Sequence, residues 1–139
     1  MSRIDKFEDL KSWQEARLLC QSIYGHLLSN EEIRDFPLKN QINSSSGSIM
    51  DNIAEGFGRS GNKEFRQFLT IAKGSCTEVK SQLYRSLDRN YINADVHQNL
   101  SQSCDNIGKL IMGLIKYLNS SDLKGGKFKN ESNTQKTSN

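Results

Sequence analysis

An all-α fold, an up-and-down antiparallel four-helix bundle, is what the sequence predicts, on three observations. Apolar residues recur at steps of three and four in four successive stretches, the repeat of one face of a helix. No stretch alternates with the period of two that a strand needs. Pro37 is the one proline in 139 residues, so long segments run without a helix breaker. Four amphipathic helices joined by short connections describe the bundle, expected over residues 1–119. A chain of this length suits a single domain.

The first run is FEDLKSWQEARLLCQSIYGHLL, in which Phe7, Leu10, Trp13, Ala16, Cys20, Ile23 and Leu27 share a face. Asp5 followed by Glu8 reads as a capping box, the Asp5 side chain accepting from a first-turn amide while Glu8 reaches back. After the polar break SNEEIRD, Pro37 suits the first turn of a second helix, where its missing N–H costs nothing. Leu38, Ile42, Ser45, Ile49, Ile53 and Phe57 then repeat. The segment NSSSGS at 43–48 has the composition of a flexible linker, but the apolar stripe continues in phase across it. Small side chains inside a helix let a neighbouring helix approach closely.

A third helix is expected from about Asn62 to Arg89, with Phe65, Phe68, Leu69, Ala72, Cys76, Val79 and Leu83 on its apolar face. Asn90 tolerates the left-handed conformation that ends a helix. A fourth, capped by Asn93 or Asp95, runs through Val96, Leu100, Cys104, Ile107, Leu110, Ile111, Leu114 and Leu118. Residues 120–139 are polar, glycine-containing and aperiodic, the pattern of a disordered tail.

Charged residues throughout the first 17 positions leave no apolar core for a signal peptide, and no run is long enough to span a membrane, so a cytoplasmic protein is expected. Cys20, Cys76 and Cys104 each fall where an apolar residue belongs and read as reduced, buried thiols. The net charge of +3 is uneven: residues 59–89 hold seven basic and three acidic groups, a local +4. A polyanion partner is expected there or at the tail.

GFGRSG at 56–61 matches the dinucleotide-binding pattern G-x-G-x-x-G, which requires a strand before it and an acid about 20 residues on at the end of a second strand. The preceding segment is helical in pattern, and Glu78, at the right distance, falls inside the third helix. The six residues read more simply as a connection in which Gly56 and Gly58 end one helix and Gly61 caps the next.

The stretch from Gln41 to Ile92 carries NIAEGFGR at 52–59, EF at 64–65, FLTIAKGSCTE at 68–78, QL at 82–83 and NYI at 90–92. With FEDLKSWQEARLLCQSIY at the start, it resembles the bacterial four-helix-bundle proteins associated with intervening sequences of 23S ribosomal RNA, over about residues 7–118. The resemblance implies a protein with no established enzymatic activity and no cofactor. It also implies a relation to the accessory protein of diversity-generating retroelements, which forms a pentameric barrel and binds a reverse transcriptase and nucleic acid. A homopentamer with an RNA or ribonucleoprotein partner is therefore the expectation. The chain departs from the family pattern after Gln41, where Asn43, Ser44, Ser45, Ser46 and Met50 replace a basic pair, alanines and a proline. Gly61 stands in place of a serine cap whose partner, Glu64, is present.

Two sets of residues follow. Arg66, Lys73 and Lys80 fall seven apart on the third helix, with Arg59 and Lys63 nearby, a stripe suited either to phosphates or to an ordinary solvated face. No exposed aromatic row is evident beside it for base stacking. The polar signature Asn52, Glu55, Arg59, Glu64 and Glu78, with Gly56, Gly58 and Phe65, reads as structural, Glu55 and Arg59 bracing the turn between the second and third helices. No nucleophile, metal-spaced histidine or activated cysteine joins them, and His26 and His97 lie in different helices, so neither a catalytic nor a metal site is expected. Trp13 and Tyr24 suit either a subunit interface or the core. The function expected is a non-enzymatic oligomeric scaffold that binds RNA or a ribonucleoprotein. The alternative is a protein–protein adaptor, for example for a reverse transcriptase.

Overall fold

The structure is a computed structural model that describes residues 4–121. Among these residues, helices α1 (Lys11–Ile23), α2 (Phe36–Gly58), α3 (Asn62–Asp88) and α4 (Ala94–Ser120) form an up-and-down bundle, and there is no strand. Each helix packs on its neighbours in sequence and α1 closes the ring against α4. The bundle extends to Ser121, just past the boundary expected at residue 119, and the expected tail beyond it lies outside the described residues. The core is one cluster in which Ala16, Ile23, Ile42, Ile49, Ile53, Leu69, Ala72, Val79, Leu83, Ile107 and Ile111 are fully enclosed.

The expected capping box at Asp5 and Glu8 does not start the first helix. Phe7–Asp9 form a single 3-10 turn, Leu10 is extended and buried, and α1 begins at Lys11 without a side-chain cap. Packing explains the change: the Phe7 ring meets Trp13 edge-on at 5.0 Å, and Leu10 enters the core only if the chain breaks between them. The far end of α1 widens into a π turn, Tyr24–Leu28, closed by Ser29 N–H donating to Tyr24 O at 2.9 Å. Ile23 and Leu27, on either side of the start of this turn, are both buried. Leu19 is enclosed too, while Cys20 is only half-buried and Tyr24 is exposed.

Helix α2 is continuous through NSSSGS, so the linker reading of 43–48 is not what forms. Asp35 caps it, accepting from the Leu38 amide at 3.2 Å, with Pro37 in the first turn. Ser45 and Ser48 face α3, where most of the contact of α2 is made, while the Ser46 carbonyl accepts from the Cys20 thiol of α1. At Gly56 the approach to α3 is close: a Cβ there would meet Phe68 Cβ at 2.7 Å and the Phe65 ring at 3.0 Å. Arg59 ends α2 in an extended conformation, and Gly61, at φ +100, is the residue before α3. GFGRSG is thus a helix–turn–helix connection with no strand before it. At the other end of α3, Asn90 takes the left-handed conformation at φ 61, and Asn93 rather than Asp95 caps α4, accepting from Val96 N–H at 2.9 Å.

A ladder of polar contacts joins α2 to α3 from the Asp35 end to the middle of both helices. Asp35 accepts from Arg89 Nη1 at 2.6 Å and from the Tyr91 hydroxyl at 3.1 Å. Arg85 donates to Gln41 Oε1 at 2.7 Å, the Ser45 hydroxyl donates to Gln82 Oε1, and the Ser75 hydroxyl bonds that of Ser48 at 2.9 Å. Burial pushes the Asp35 carboxyl up, but the bonds from Leu38, Arg89 and Tyr91 and the Arg89 charge outweigh it and leave it below its ordinary value of 3.8. A carboxyl that titrates lower when folded contributes stability that is whole above about pH 4 and is lost as pH falls through the folded value. Urea midpoints of the wild type and Asp35→Asn should therefore be clearly separated near neutral pH and converge as the pH falls below the ordinary carboxylate range. A constant separation would show that the Asp35 charge contributes nothing.

Candidate nucleic-acid interface

Helix α3 sorts its cations between two faces. Arg85 and Arg89 turn to α2, where they close the ladder. Arg66, Lys73 and Lys80 turn to α4, as their spacing of seven requires on a helix of 3.6 residues per turn. There Lys73 and Lys80, but not Arg66, border a trough of about 440 Å³ lined also by Cys76, Cys104, Asp105, Lys109 and Met112, among others. Lys109 is the member that the spacing on α3 could not reveal, since it comes from the facing helix. Its signal in the sequence is the pair Lys109 and Lys116, themselves seven apart.

The cations are not equivalent. Lys73 and Lys109 are exposed, and Lys63 is exposed one turn before Arg66. Lys80 pairs with Asp105 at 2.8 Å, and this hydrogen bond, against a small opposing effect of burial, raises the ammonium pKa. Arg66 donates to the carbonyl of Leu118 at 3.3 Å, and Asn62 Nδ2 donates to the carbonyls of Leu118 and Ser121 at 3.1 and 2.7 Å. These bonds satisfy orphan acceptors at the end of α4, where a cation also suits the helix dipole. Arg59 lies at the α2–α3 turn, ion-paired with Glu55 at 3.0 Å and 5.2 Å from the Phe68 ring centre. Arg59 thus touches both helices at the turn, Glu55 at the end of α2 and Phe68 on α3.

An aromatic element missed in the sequence lies one helical turn along α3 from Lys80, beyond the residues that line the trough. Tyr84, on the same face of α3 as Lys80, is 55% exposed, and its ring meets His97 of α4 at 4.5 Å between centres. His97 is in turn within 3.4 Å of the Ser101 hydroxyl. Neither residue stands out in a single helix, because their pairing depends on how α3 and α4 lie side by side.

Of the remaining signature residues, Gly56 and Phe65 build the α2–α3 contact. Asn52 donates to both the carbonyl and hydroxyl of Ser48 at 2.8 Å, Phe65 is buried edge-on to Phe57 at 5.9 Å, and Gly56 permits the close approach. Glu64 is exposed in the first turn of α3, favourable to the helix dipole. Gly58 meets nothing at its Cβ position, and Glu78 borders a second, polar trough of about 580 Å³ with Asn40, Ser44, Ser81 and Arg85.

Burial pushes the Cys76 and Cys104 thiols up to about 12 and raises that of Cys20 as well. All three are free thiols and, protonated at neutral pH, poor nucleophiles. Among the described residues no group of three His, Cys, Asp or Glu is placed to hold a metal, and no helix is long and apolar enough to cross a membrane.

Comparison with solved structures finds a protein of unknown function from the S23 ribosomal protein family of Bacteroides thetaiotaomicron, solved by crystallography. It superposes with a TM-score of 0.68 at 22% identity over 76% of this chain and 98% of that one, a likeness of fold. A comparison with curated proteins finds no match. The family model described as 23S rRNA-intervening sequence protein matches residues 8–113, which takes in α1, α2, α3, the Tyr84–His97 contact and most of α4. The chain belongs to the 23S rRNA-intervening sequence protein family.

Proposed function

We propose that the protein is a non-enzymatic scaffold that binds RNA, free or within a ribonucleoprotein, through the trough between α3 and α4. The observation that carries this reading is the set of cations gathered there from two helices, Lys73, Lys80 and Lys109, against the single carboxylate of Asp105 among the lining residues. Cations spaced along a groove neutralise successive phosphates and release their counterions, so the affinity depends on salt and little on sequence. The name of the family, which refers to an insertion in ribosomal RNA, is consistent with such a partner. Assembly into a homopentamer in the cytoplasm is part of the proposal, and light scattering tests it. A monomer at micromolar concentration would remove that part.

The binding test is a filter titration with structured and unstructured RNA over a range of salt. Lys73→Glu with Lys109→Glu should weaken binding and lower the slope of log affinity against log salt by about 1.4 on single strands, 0.7 for each lost phosphate contact. Asp105→Asn releases Lys80 and should tighten binding. Arg66 is a poor choice of variant, since its loss also uncaps α4. Affinity indifferent to salt and to these substitutions would sink the site and favour the adaptor reading, with a protein partner such as a reverse transcriptase.

A further inference from the structure

Resting on the reading above, we infer that the α3–α4 trough takes single-stranded rather than duplex RNA, with Tyr84 as the platform for an unstacked base. Three observations support this. Lys73, Lys80 and Lys109 line a trough of about 440 Å³ between two helices. A furrow of that size takes the backbone of one strand with its bases splayed, whereas a duplex, whose bulk exceeds it, rests on the rims.

Tyr84 supplies what a purely cationic groove lacks. More than half its surface is in solvent, yet the ring is not loose, because His97 backs it at 4.5 Å and Ser101 lies within reach of His97. An exposed ring held in place loses little freedom when a base packs on its open side. Such stacking is tolerant of sequence because every base has a π-face.

The order of groups along α3 completes the case. Tyr84, Lys80 and Lys73 lie on one face, so the platform precedes the first cation by about 6 Å and the second by about 16 Å at 1.5 Å rise per residue. A strand with a base on Tyr84 thus runs its backbone past Lys80 and then between Lys73 and Lys109. Inside a duplex the bases are already stacked and paired, and Tyr84 has nothing to receive.

The test is fluorescence anisotropy of a labelled uridine oligomer of about ten nucleotides against a duplex RNA of the same length, at low salt, using the full chain. The wild type should bind the single strand more tightly. Tyr84→Ser should weaken single-strand binding about 5- to 100-fold and leave duplex binding unchanged, while Tyr84→Phe retains the affinity. A circular dichroism melt controls for folding, which substitution at so exposed a position should preserve. Equal affinity for both RNAs, or single-strand binding unaffected by Tyr84→Ser, overturns the inference. If Lys73→Glu with Lys109→Glu still weakens binding in that case, the groove reading stands without it. Binding of neither RNA removes both.

Discussion

Gly56→Ala should destabilise the protein by about 1–3 kcal/mol, although alanine is the better helix former, because the added methyl forces apart a close helix pair. The Cβ would stand 2.7 Å from Phe68 Cβ, an atom fixed by the α3 backbone, so a rotamer change cannot relieve the clash. Relief requires α2 and α3 to separate, which also disturbs the edge-on contact of Phe57 and Phe65. Gly47, in the middle of α2 with nothing within 4 Å of its Cβ position, is the control. Gly47→Ala should stabilise by about 0.5–1 kcal/mol through the loss of backbone freedom in the unfolded chain. Chemical denaturation of both variants measures the difference, and an unchanged midpoint for Gly56→Ala would show that the helices are not held at this distance.

Ser45→Ala should cost about 1–3 kcal/mol, more than the loss of one hydrogen bond would suggest. Ser45 and Gln82 are only 5% and 6% exposed, and the Ser45 hydroxyl is the donor to Gln82 Oε1. Without it the amide oxygen is left buried and unsatisfied, so the penalty is the desolvation of that group. Ser45→Ala with Gln82→Leu removes both partners at nearly constant volume and should recover most of the loss. Urea midpoints of the two single variants and the double variant close the cycle. A double variant as unstable as Ser45→Ala would mean that the amide was never satisfied by the hydroxyl.

The helices and their faces were legible in the sequence because each burial stripe is written in a single segment. Ile42, Ile49 and Ile53 or Cys104, Ile107 and Ile111 declare their face without reference to any partner. The same holds for Asn90, whose tolerance of positive φ is its own property. The start of α1 was not legible, since whether Asp5 or Leu10 precedes the helix turns on where Phe7 and Trp13 pack. The site divides in the same way. A spacing of seven put Arg66, Lys73 and Lys80 on one face, but their separate engagements with Leu118, solvent and Asp105 depend on α4. Lys109 and the Tyr84–His97 contact were missed for that reason, each being a property of two helices side by side.

The polar ladder between α2 and α3 also settles a choice of alignment. Small residues along one face would let two helices slide past each other by a turn with little steric objection. In this pair a slide of one turn carries Gln82 away from Ser45, towards Gln41 or Ser48, and breaks the bond it makes. It also parts Asp35 from Arg89 and Gln41 from Arg85 at once. The contacts thus act as teeth of a ratchet, meshed together in one position and unmeshed together in the next.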